Sequence, residues 1–118
     1  MTSDDRDARG DRDGDILHIA SPDEWDDARR TGAIAPASLA AEGFVHCSTR
    51  AQLAGTLARH FVGAGPLLGL VLDPEAIASD LRWDESHPGE RFPHVYAPIS
   101  VGAVVAVEPL TPPAAPSG

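Results

Sequence analysis

The sequence predicts an α+β fold, a small mixed or antiparallel sheet with two main helices. Three observations predict it. Two helix-like stretches fall early, at about residues 21–32 and 50–61, whereas strand-like runs dominate the second half. The run from Leu67 to Leu72 is almost continuously apolar and bounded by Gly and Pro, as expected of a central strand covered on both faces. Neither a Gly-rich dinucleotide fingerprint nor a phosphate-cradling P-loop sequence is present, which removes the two commonest nucleotide-binding α/β classes.

Taken in order, residues 1–15 alternate Asp, Arg and Gly without hydrophobic periodicity and read as a disordered acidic tail. Ile16 to Ala20 is a short apolar strand interrupted by His18. Ser21 is a natural N-cap for the next helix, Pro22 suits its first turn, and Glu24 completes a capping box. Trp25, Ala28 and Arg29 share a packed face, and Gly32 stops the helix. Residues 33–42 form a connection with a single helical turn over 38–41. A strand over 43–47 follows. Ser48 or Thr49 then caps a helix in which Leu53, Leu57 and Phe61 recur every fourth position.

Beyond the central strand, Asp73-Pro74-Glu75 starts a turn or a short helical turn. Leu81-Arg82-Trp83 alternates as a half-exposed strand, and Ser86-His87-Pro88-Gly89 is a loop. Strands over 95–99 and 103–107 close the sheet. Residues 111–118 read as a disordered Pro/Ala tail, which leaves one domain over 16–110.

Charge narrows the function classes. The 118-residue chain has a formal charge of −9, no lysine and one cysteine. That balance is a poor match for non-specific nucleic-acid binding, which needs cations to neutralise phosphates. A single cysteine rules out an internal disulfide and fits a reducing cytoplasm, the expected location. No signal-peptide core is visible, and no apolar run approaches the roughly 18 residues of a membrane span. With no exposed heptad or long apolar stripe, a monomer is expected.

The richest stretch is Glu42-Gly43-Phe44-Val45-His46-Cys47-Ser48-Thr49. Strand alternation sends His46 and Ser48 to one face and Cys47 to the other, with Val45. Cys47 then reads as a small core residue, because a nucleophilic cysteine needs a base on its own side. His94 and Tyr96 share a face by the same alternation, joined by Phe92, and Pro93 and Pro98 bracket an edge strand. His18, in an apolar run, reads either as a core histidine or as a ligand contact. Arg91 has the planar fork that suits a phosphate, though a surface arginine looks the same in sequence. His60 reads as a helix-terminus charge. Trp25 and Trp83 read as core or rim packing. Three dispersed histidines and one cysteine lack zinc-site spacing, so no metal is expected.

The combination of Leu17-His18-Ile19, Trp25, the Gly43-to-Ser48 stretch, Leu72-Asp73-Pro74 and Phe92-Pro93-His94-Val95-Tyr96-Ala97-Pro98 resembles the bacterial domain-of-unknown-function 952 family, over about residues 16–110. That family is grouped by fold with the ADP-ribosyltransferases. The resemblance implies a sheet split around a cleft that holds NAD, and an NAD-dependent ADP-ribosyl or phosphoryl transferase as the corresponding enzyme. By the same resemblance His18 corresponds to the first-strand residue that grips the adenosine ribose. His46 and Ser48 lie at the second element, and Glu90, His94 and Tyr96 supply the third. The catalytic candidates are His46, His94 and Glu90; those for NAD are His18, Ser48, Tyr96 and Arg91. The chain departs from the family at Ala97, where glycine is usual, and Glu90 precedes its strand. Two other classes are kept open: a non-catalytic small-ligand or interaction module with structural histidines, and a cysteine-dependent thiol enzyme.

Overall fold

The computed structural model describes residues 14–115. The tail expectations for 1–13 and 116–118 lie outside the described residues. The fold is α+β with antiparallel pairing throughout, in three sheets. Strand β1 (Ile16–Ala20) lies between β4 (Ser48–Thr49) and β5 (Leu67–Leu72), and β9 (Val104–Leu110) closes the far side of β5. A second sheet has β7 (Glu90–Val95) between β3 (Val45–His46) and β6 (Leu81–His87). A two-residue ladder joins β2 (Ala33–Ile34) to β8 (Ile99–Ser100). Leu70, Leu72, Val45, Val95, Ile34 and Ile99, drawn from all three sheets, meet in one buried core.

The first helix, α1 (Pro22–Thr31), starts where the sequence places it, with the Ser21 hydroxyl accepting the Glu24 N–H at 3.0 Å. Its end at Gly32 needs glycine, because φ is 97° there. The capping box is only half formed: the Glu24 carboxylate turns away to His18. A complete box instead joins Thr49 and Gln52. It opens a 3₁₀ turn over Arg50–Gln52 that runs into α3 (Leu53–His60). The expected turn at 38–41 is a helix, α2 (Ala37–Glu42), and α4 (Pro74–Ile77) starts on the Asp73 carboxylate.

Two sequence expectations change at the same place. The strand over 43–47 shortens to β3, because Gly43 is the left-handed end of α2, with φ 91° and its N–H bonded to the Leu39 carbonyl. The chain then changes sheets at Cys47. Its N–H donates to the Pro93 carbonyl at 3.1 Å, after which Ser48 pairs with Leu17 of β1. His46 and Ser48 therefore do not share a face. His46 is exposed while Cys47 and Ser48 are both buried. Alternation holds only along one continuous ladder, and this one is broken.

Strand β7 is also the centre of its sheet rather than an edge. Pro93 is tolerated because its missing N–H shares the side of its carbonyl, toward the break after β3. The strand expected over 95–99 divides: β7 stops at Val95, and β8 starts at Ile99 in another sheet. At the margins, Arg50 holds Asp15 at 2.8 Å and Glu108 at 2.9 Å, pinning the chain ahead of β1 to the last strand. Gly63 bonds the Pro113 carbonyl. No helix among the described residues is long and apolar enough to cross a membrane.

Candidate functional site

The sheet change at Cys47 opens a cleft of about 770 Å³ between the two larger sheets. His18 from β1, His46 from β3, Ser48 from β4 and His94 from β7 all line it. The structure thus brings four of the seven expected site residues together.

His18 is 6% exposed, and both ring nitrogens are engaged. Nδ1 lies 2.7 Å from the His46 carbonyl oxygen and Nε2 lies 2.8 Å from Glu24 Oε2. A carbonyl and a carboxylate only accept, so both nitrogens donate and the ring is an imidazolium. Burial pulls this ring toward its neutral form. The neighbouring Cys47 sulfur and the Glu24 carboxylate outweigh that effect and hold the pKa up at about 10.

His94 has the opposite arrangement. It is 2% exposed, its Nδ1 lies 2.9 Å from Asp84 Oδ2, and its Nε2 has no partner among the described residues. Register explains the contact: Asp84 stands opposite Phe92, so His94 is its diagonal neighbour two residues on. The Tyr96 hydroxyl donates to the same carboxylate oxygen. Those hydrogen bonds, from Tyr96 first and His94 second, hold the Asp84 carboxyl below its usual range. The same contact pushes the Tyr96 hydroxyl above its own. Asp84 accepts the proton on Nδ1, so a neutral His94 ring carries its lone pair on Nε2.

Phe44 completes a ring cluster. It stacks on His94 with centroids 4.0 Å apart and meets the His46 ring edge at 4.7 Å. His46 itself is exposed, with Nε2 3.1 Å from Glu42. The Ser48 hydroxyl is paired with Thr56 at 3.0 Å.

The remaining candidates stand apart. Tyr96 is 43% exposed and reaches the site through Asp84. Glu90 pairs with His87 at the β6–β7 turn, and Arg91 is exposed, donating to the Trp83 carbonyl at 3.4 Å. Neither lines the cleft. Sequence reasoning missed Asp84, Glu24 and Phe44 as site residues. Asp84 was findable, since pairing the two strands across the Pro88-Gly89 turn carries it toward His94. Glu24 gave a signal only for capping, and Phe44 only for burial.

Among the described residues no group of three or more His, Cys, Asp or Glu side chains could hold a metal ion. Cys47 is 4% exposed, with Sγ 3.9 Å from the Val45 carbonyl. It is therefore expected to resist iodoacetamide in the native protein and to react once urea unfolds the chain. Native-state alkylation at the unfolded rate would restore the thiol-enzyme reading.

Comparison with known proteins adds the following. The model of a family described as protein of unknown function (DUF952) matches residues 19–107. No curated protein matches. Among solved structures, the X-ray structure of protein CC0527 from Caulobacter crescentus is 37% identical, with a TM-score of 0.76, covering 82% of this chain and 86% of that one. A double mutant of that protein gives the same values. Its solution NMR structure is also 37% identical, with a TM-score of 0.69 and coverage of 79% and 81%.

Proposed function

This chain belongs to the DUF952 family of proteins of unknown function, and within it we propose that the cleft binds a nucleotide, NAD or an ADP-ribose-like ligand. The observation that carries this reading is His94: a buried ring lining the cleft, with its proton fixed on Nδ1 and its Nε2 unpaired. A buried nitrogen without a partner costs about 1–3 kcal/mol, which a ligand hydroxyl or amide N–H would recover once the side chains covering it give way. Ribose hydroxyls and the nicotinamide amide both offer such a donor. The cleft volume falls within the range of about 300–1,000 Å³ usual for small-molecule sites. Within the Phe44–His46–His94 ring cluster, His46 and His94 line the cleft and give a planar ring something to pack on. The ADP-ribosyltransferase-like arrangement fits a sheet divided around a cleft.

Binding is better supported than turnover. Transfer of ADP-ribose needs a carboxylate beside the positive charge that develops on the ribose. Glu90 stands outside the cleft, and Glu24 and Glu42 are engaged with His18 and His46. A purely structural histidine cluster would be dry and internally satisfied. His18 meets that description, whereas exposed His46 and unpaired His94 do not.

The test is a titration with NAD and ADP-ribose followed on the histidine ring NMR signals. Signals of His18, His46 and His94 are expected to shift and saturate together, and the response to vanish in a folded His46→Ala variant. Unmoved signals at millimolar ligand would remove the nucleotide reading.

A further inference from the structure

Six arginines fall within the described residues, and five of them are engaged by protein groups. Arg29, Arg30 and Arg50 pair with carboxylates, and Arg82 and Arg91 donate to backbone carbonyls. Arg59 makes no hydrogen bond or ion pair among the described residues, and it lines the cleft. Its position at the end of α3 suits the negative end of the helix dipole. That does not explain where its guanidinium goes. The side chain runs back along the helix over Gly55, where a Cβ would meet Nη1 at 3.3 Å, and its Cζ lies 5.6 Å from the Phe92 ring centre. The fork therefore leaves the C-terminal carbonyls and lies over the buried Phe92 ring of β7.

Two further side chains with ring nitrogens line the same cleft without a side-chain hydrogen bond among the described residues, His60 from α3 and His87 from β6. Both carboxylates that line the cleft, Glu24 and Glu42, are bonded to His18 and His46, so neither neutralises Arg59. In a chain of net charge −9 a cleft cation that no described carboxylate neutralises is an anion site by contrast with its surroundings.

We propose that Arg59, assisted by His60 and His87, is the phosphate subsite of the cleft, and that the ligand is a phosphorylated small molecule. The assignment rests on the nucleotide reading and locates the ligand's phosphate within it. The guanidinium presents paired N–H donors that match two phosphate oxygens, and its cation–π contact with Phe92 restrains the side chain before the ligand arrives. Arg91, the arginine that the sequence offered for this role, lies outside the cleft.

The experiment titrates the full chain and its Arg59→Gln and Arg59→Lys variants with ADP-ribose, adenosine and inorganic pyrophosphate at one ionic strength. Arg59→Gln is expected to weaken ADP-ribose binding by about tenfold or more, the loss of a charge-assisted bidentate contact, and to leave adenosine binding unchanged. Arg59→Lys should fall between, since it keeps the charge and loses the fork. ADP-ribose bound equally by wild type and Arg59→Gln would overturn the subsite and leave the nucleotide cleft standing. Equal losses for adenosine and ADP-ribose would also overturn it, as a structural effect. Failure of the wild type to bind any of the three probes would remove both readings.

Discussion

Glu24→Ala lowers the stability of the protein by about 3 kcal/mol at pH 7, the order expected when a buried charge loses its partner. It also reduces the pH dependence of that stability. The imidazolium of His18 is held between the His46 carbonyl and Glu24, with its pKa raised from 6.5 to about 10. A raised pKa contributes stability that is complete below pH 6.5 and is lost as pH rises through about 10. The wild-type unfolding free energy therefore declines across that window. The Cys47 sulfur and Glu24 keep the ring charged, and removing the carboxylate takes away one of the two, so the decline shrinks. Glu24→Gln should recover part of the stability, because its amide N–H can donate to Nε2 of a neutral ring, but not the slope. Urea unfolding at pH 6.5, 8 and 10 measures both quantities. A Glu24→Ala variant with the wild-type slope would show that Glu24 does not hold the His18 proton. Tyr96 adds a separate loss: its raised pKa contributes stability that disappears only above its ordinary value of 10.

Asp84→Ala is expected to weaken binding in the cleft by about tenfold, the usual cost of losing the outer partner that fixes a histidine. Without the carboxylate, nothing among the described residues holds the proton on His94 Nδ1, and Tyr96 loses its acceptor. The ring is then free to place its proton on Nε2 and lose the acceptor that the ligand needs. Nitrogen-15 spectra of the His94 ring report that exchange directly. Asp84→Asn keeps an acceptor oxygen and should retain more binding than Asp84→Ala. Affinity and ring tautomer both unchanged in Asp84→Ala would exclude a positioning role. The lowered Asp84 pKa means that the arrangement is intact above pH 3.8 and is lost as pH falls through the depressed value.

Much of the frame is legible locally. Ser21, Pro22 and Gly32 bound α1 through capping and left-handed closure, and the apolar run of β5 marks it as a strand covered on both sides. These signals lie within a few residues of the elements they specify, where backbone geometry and side-chain chemistry act directly. His18, His46 and His94 were legible as candidates because each sits on or beside a strand. Their roles were not. The capping pattern of Glu24 says nothing of His18, and strand alternation at His46 does not reveal that Cys47 passes the chain to another sheet. Asp84 meets His94 only through the register of β6 on β7, and Arg59 reaches Phe92 only because α3 packs across from that strand. The sequence by itself determined the α+β class, the two longer helices and the histidine-bearing segments. The tertiary structure alone decided which histidine is charged, which keeps a free nitrogen and which arginine enters the cleft. Protonation and ligand contact depend on partners brought together over long sequence separations, and local pattern does not encode those distances.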